Sequence, residues 1–121
     1  MAGAPETDEG LIMENRKPLN TLADEIVDIN RANGWKVAKP TDWFDTEYKI
    51  PAVLALITSE VSEALEAYRH RDRENFDEEI ADVVIRCLDL AGGLEIDIDE
   101  EVRKKLEKNR ERGFRHGGKR V

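Results

Sequence analysis

Disulfide cross-links are the first thing this sequence cannot build, because Cys87 is its single cysteine. A small scaffold stapled by intrachain bridges is excluded, and an intracellular location is the simplest expectation. Cys87 falls within an apolar helical pattern, which points to a core position more than to a nucleophile. Aromatic residues are scarce, 6% of the chain beside 38% charged residues, a balance that suits solvated helices and not a β-sandwich. We therefore read the fold as all-α. Apolar runs are short: none approaches the roughly 20 residues of a membrane span, and no signal-peptide pattern opens the chain. A cytoplasmic protein with no membrane partner is expected.

Positive charge is also in deficit, and unevenly so. The chain holds 27 Asp and Glu against 19 Lys and Arg, a net charge of −8, which argues against a general nucleic-acid binder. Residues 103–121 nevertheless carry nine Lys and Arg against two Asp and Glu, whereas residues 1–102 carry ten against 25. An acidic body and a basic arm are the two things a magnesium–polyphosphate ligand would need.

With 121 residues the chain makes one domain, and a helical hairpin of that size gains from a partner chain. Residues 1–18 show no sustained periodicity and are expected to be a mobile leader, with the domain spanning 19–121. The spacing of Leu22, Ile26 and Ile29, with Val27 beside them, predicts a short amphipathic helix that Asn33-Gly34 ends. Between Trp35 and Lys49 lies an aromatic-bearing loop, in which Trp35 and Trp43 either plug the end of the helical core or offer an indole to a nucleobase. From Ile50 through Val53, Leu54, Ile57, Val61, Ala64, Leu65 and Tyr68, apolar residues keep helical spacing for about five turns, with Pro51 in the first. Phe76, Ile80, Val83, Val84, Cys87, Leu88 and Ala91 form a second stripe, which Gly92-Gly93 ends or loosens. Asp97 and Glu100 have a capping-box-like spacing, after which Val102 and Leu106 place a last short helix on the core.

Each of the two long helical patterns carries a carboxylate pair three residues apart: Glu60 with Glu63, and Glu79 with Asp82. Residues three apart share a helix face. The midpoint of 60 and 82 and that of 63 and 79 both fall at residue 71, inside the turn-like stretch 70–75. An antiparallel hairpin about that turn sets Glu63 level with Glu79 and Glu60 level with Asp82. Four carboxylates then converge, a costly arrangement that a hard divalent cation relieves. Oxygen donors suit magnesium or manganese; zinc or copper would recruit His or Cys, and neither stands near these positions. A di-iron bundle would want Glu-x-x-His, where this chain has Glu63 and Asp82. The plainer alternative is that, among 27 acidic residues, two such pairs are a solvated face.

On the last helix Lys105, Asn109 and Arg112 share a face, and His116, Gly117, Gly118 and Lys119 follow. Cationic and amide donors beside glycines that let the backbone come close would grip phosphate oxygens. Basic residues also gather at helix C-termini simply because of the dipole there.

Three blocks in order, Ser59-Glu60-Val61-Ser62-Glu63-Ala64-Leu65-Glu66-Ala67, then Glu78-Glu79-Ile80-Ala81-Asp82-Val83-Val84-Ile85-Arg86, then Lys105-x3-Asn109-x2-Arg112-x3-His116-Gly117-Gly118-Lys119, resemble the MazG-type all-α nucleoside triphosphate pyrophosphohydrolases over about residues 19–121. The resemblance implies a helical bundle completed by oligomerisation into a homodimer or homotetramer, with the acidic site on a long helical hairpin. It implies Glu60, Glu63, Glu79 and Asp82 as magnesium ligands and catalytic residues, with manganese as a substitute, and leaves open which of them is the general base. The implied reaction is hydrolysis of (d)NTPs between the α and β phosphates to a monophosphate and pyrophosphate, a housecleaning of the nucleotide pool. Lys105, Asn109, Arg112, His116 and Lys119 would hold the triphosphate, Arg86 would steady a carboxylate or touch phosphate, and Trp35 would meet the base. Ser59 departs from the acidic residue common before the first metal-binding Glu. The competing expectation is a non-catalytic acidic helical oligomer that binds a nucleotide or a protein.

Overall fold

Pro18 opens the first helix, where its missing N–H has no intrahelical partner to lose. In the computed structural model, which describes residues 16–113, this helix (α1) spans Pro18–Ala32. Residues 1–15 of the expected leader, and the candidates His116 and Lys119, lie outside the described residues. The chain leaves α1 where the sequence predicts: the Asn33 N–H donates to the Ile29 carbonyl at 3.0 Å, and Gly34 takes φ 82°, a value that disfavours any side chain. After an extended stretch, Pro40–Phe44 makes one short 3₁₀ helix. Its buried Asp42 accepts from the Lys39 N–H at 3.0 Å and faces the Lys49 ammonium at 3.4 Å.

Helix α2 spans Lys49–Arg69 and α3 spans Arg73–Gly93; between them the chain reverses in three residues, with Arg71 at φ 56°. The side chain of Asp72 accepts from the Asn75 N–H at 3.1 Å and so caps α3. Helix α4 spans Ile98–Arg112, capped by Asp97 through the Glu100 N–H at 3.2 Å, as the capping-box spacing predicts. The described residues thus form four α-helices and no strand. Among them, no helix is long and apolar enough to cross a membrane.

Helix α3 is the central element, packed against α2 along the hairpin and against α1 nearer its C-terminal end. Ala64 and Ala67 are buried on α2, and Ala23, Ile26 and Leu88 form a small core with Leu19 and Ile98 packed against it. Gly92 and Gly93 stay within the helix and are needed there for close approach. A Cβ on Gly92 would stand 2.9 Å from Val27 Cγ2, and one on Gly93 would run into the Ala38 carbonyl.

The N-termini of α1 and α4 cap one another. Asp99 accepts from the Leu19 and Asn20 backbone N–H groups at 3.2 and 2.8 Å, while Asn20 Oδ1 accepts from Ile98 and Asp99 at 2.9 and 3.3 Å. The Asn20 amide donates to Asp97, which also pairs with Lys17. Each satisfied helix end contributes on the order of 1 kcal/mol.

Several sequence expectations are corrected by the burial. Cys87 is exposed, not part of a core. Trp35 and Trp43 keep 71% and 69% of their surface and plug nothing among the described residues. Val102 and Leu106 are exposed and no residue of α4 is buried, so α4 is held by its N-terminal end and does not lie on the core. Much of the hairpin stripe is also open, including Leu54, Val61, Leu65, Tyr68, Ile80 and Val84. The reason is geometric: α2 meets α3 through alanines, and an apolar stripe wider than one helix–helix interface leaves its flank uncovered in a single chain.

Candidate metal centre

The hairpin brings Glu60, Glu79 and Asp82 together, each offering a carboxylate oxygen within 4.8 Å of the others. Glu60 is buried at the α2–α3 interface, Glu79 is half-buried, and Asp82 is exposed. Depth therefore grades across the cluster, from an enclosed carboxylate to one at its mouth. Glu63 does not join this tightest group. It lines a hollow of about 430 Å³ with Glu79, Glu66, Ala67, His70, Asp72 and Asn75, which continues from the cluster toward the hairpin turn. His70 was not expected near the carboxylates, yet it lines this hollow, with Nε2 2.9 Å from Glu66 Oε1. The signal was present as Glu63, Glu66 and His70, three residues on one face of α2 up to its cap.

Arg86, one turn after Asp82, donates from Nε to Glu60 Oε1 at 2.8 Å. This hydrogen bond holds the Glu60 carboxyl below its usual range despite the opposing effect of burial. Glu79 behaves oppositely. Its contact with Glu60, its partial burial and the nearby Glu63 push its carboxyl up to about 7. Its Oε2 is buried without a hydrogen-bond partner among the described residues. A buried orphan oxygen on a member of this cluster, in a donor set made only of oxygens, fits a divalent cation.

The other candidates are dispersed. Lys105, Asn109 and Arg112 are exposed along α4, and no hydrogen bond or ion pair joins them to the acidic cluster among the described residues. The ion pairs of α4 are local, Lys104 with Glu101 at 3.0 Å and Arg110 with Glu107 at 2.7 Å. Trp35 follows the C-terminal end of α1, its N–H donating to the Asn30 carbonyl at 2.9 Å.

No curated protein and no solved structure matches this chain. A sequence model of the MazG-like family does, over residues 55–120. That stretch holds both carboxylate pairs, Arg86 and all of α4. Because the match takes in more than half of the chain and both arms of the acidic hairpin, this protein belongs to the MazG-like family.

Proposed function

We propose that this chain is a divalent-cation-dependent nucleoside triphosphate pyrophosphohydrolase. The observation that carries the reading is the orphaned Glu79 Oε2, set among carboxylates within 4.8 Å of one another in a chain of this family. Glu60, Glu63, Glu79 and Asp82 would hold magnesium, with manganese as a substitute. When bound, the metal supplies neutralisation of phosphate charge and a more acidic attacking water.

The chain's own groups have separable roles in this reading. Glu60 gives a fixed charge at the floor of the site, and Asp82 stands at the solvent side where a polyphosphate would arrive. In the metal-free chain the Glu79 carboxyl sits at about 7 because its neighbouring carboxylates disfavour its charge, so a cation bound there would displace its proton. Glu63 lines the hollow beside Glu79. Water adds across the α–β phosphoanhydride, giving a nucleoside monophosphate and pyrophosphate. Lys105, Asn109 and Arg112, with His116 and Lys119, would hold the triphosphate, and Trp35 would stack on its base. Cleaning of a nucleotide pool is the role such an activity would serve.

The reading includes a homodimer or homotetramer. Leu54, Val61, Leu65 and Tyr68 share one open face of α2, and Ile80, Val84 and Cys87 share one of α3. A second copy covering these faces would also offer its own α4 to a site that α4 of the same chain does not touch.

Turnover of a panel of NTPs and dNTPs with and without magnesium, resolving pyrophosphate from orthophosphate, tests the proposal. Pyrophosphate and monophosphate from wild type, lost in Glu63→Ala, is the expected outcome. A folded oligomer in ample magnesium or manganese that turns over no nucleotide would replace the enzyme with a binding module.

A further inference from the structure

Glu60 is the most enclosed of the clustered carboxylates, and one of its two oxygens is already taken. The terminal torsion of a glutamate is broad and nearly two-fold, so packing alone does not decide which oxygen faces the cluster. Arg86 does decide it. It reaches Glu60 across the hairpin from α3, through Nε alone at 2.8 Å, and no other hydrogen bond of its guanidinium is formed among the described residues. The donor also stands one helical turn after Asp82, so the tether and that carboxylate belong to the same face of α3.

We infer that Arg86 is a positioning residue of the metal centre: its Nε–H holds Glu60 Oε1, leaving the other Glu60 oxygen as a single donor aimed at the cation. The inference rests on the metal-centre reading above and adds to it the group that sets the orientation of one ligand. A carboxylate free to swing offers one oxygen or two; magnesium, which demands near-octahedral geometry, discriminates sharply between those cases. Hydrogen bonds to ligating carboxylates are worth about 10- to 100-fold in metal affinity.

The alternative role for Arg86 is that of a counter-ion, supplying only positive charge to an acidic patch. The two roles separate because glutamine carries its amide nitrogen the same number of bonds from Cα as arginine carries Nε. Arg86→Gln keeps a donor at that point and removes the charge. Arg86→Lys keeps the charge and moves the donor one atom outward, and Arg86→Met removes both. Positioning predicts that Arg86→Gln binds the cation as tightly as wild type or more so, since a nearby positive charge has gone, while Arg86→Lys and Arg86→Met weaken by about tenfold or more.

Calorimetric titration of the metal-free full chain with manganese chloride, at a pH where the carboxylates are ionised, reads this without nucleotide turnover. Retained affinity in Arg86→Gln with loss in Arg86→Lys supports the inference, and that pair decides the matter even if Arg86→Met does not fold. Wild-type affinity in Arg86→Lys with tighter binding in Arg86→Gln would make Arg86 a counter-ion that acts through charge alone and overturn it. Equal affinity in every folded variant would reduce the pair to a structural contact, and every other ordering also overturns the inference. A wild-type chain that binds no manganese would overturn the metal-centre reading itself, and this inference with it.

Discussion

Lowering the pH from 8 to 6 should weaken cation binding by about tenfold, through one residue. A cation can take up Glu79 only after its proton has left, and the Glu79 carboxyl sits at about 7 where an ordinary glutamate sits at 4.5. With a midpoint near 7, Glu79 is roughly nine-tenths protonated at pH 6 and about one-tenth at pH 8, so the competition changes by that factor of ten. A glutamate at its ordinary value would change affinity by only a few per cent over the same range. Glu60 adds nothing to the slope, because Arg86 holds it in its charged form. Calorimetric titration with manganese in two buffers of different ionisation enthalpy gives both quantities. The affinity should fall as stated, and proton release should rise to about one per cation at pH 6. In Glu79→Gln, binding should be weaker and almost independent of pH. A wild-type affinity constant to within about twofold over this range, or an equal slope in Glu79→Gln, would refute the reasoning. The same residue sets a second sign. Its folded value is raised, so the metal-free protein loses stability as pH climbs from 4.5 through about 7, and a divalent cation should reverse that loss.

Four further outcomes follow from the fold. Gly93→Ala drives a Cβ into the Ala38 carbonyl, an overpacking cost of about 1–3 kcal/mol that the roughly 1 kcal/mol gain in helix propensity does not fully offset, and the thermal midpoint should fall. Asn20→Ala removes the acceptor of two α4 N–H groups together with a donor to Asp97, so urea denaturation should register a loss of about 1–2 kcal/mol. The neighbouring Asp97 carboxyl is held down to about 2, chiefly by Lys17, so its contribution is complete above 3.8 and disappears as pH falls through about 2; Asp97→Asn should flatten that acid limb. Leu65→Glu puts a charge on an open face of α2 and should shift the proposed homo-oligomer to monomers in sedimentation velocity while leaving helicity unchanged, because Leu65 is exposed in the single chain.

The features legible in the sequence are those that depend on neighbours along the chain. Asn33-Gly34 ends α1, and Asp97 caps α4, because turn and cap chemistry acts over three or four residues. The pairing of Glu60 with Asp82 follows from counting residues back from the turn. Counting fixes register along a hairpin but not rotation about each helix axis, so it could not separate Glu63 from the three carboxylates that meet most closely. Periodicity shows which residues share a face and is silent about whether anything covers it. Val61, Leu65, Cys87, Val102 and Leu106 were grouped correctly by helical spacing, yet all are exposed in this chain. Gly92-Gly93 was legible only as an interruption, since the Val27 and Ala38 atoms that require small residues there belong to distant parts of the sequence.

The mutual cap between α1 and α4 turns the last helix into a lever. Fifteen residues of helix make a rod of about 22 Å, and every residue from Glu100 to Arg112 is exposed, so among the described residues the rod is gripped at one end only. A rotation of about 15° at Asn20, Asp97 and Asp99 would sweep Arg112 through about 6 Å, while Ile98 hardly moved. The few hydrogen bonds farthest from the basic residues therefore control where those residues can deliver their charge.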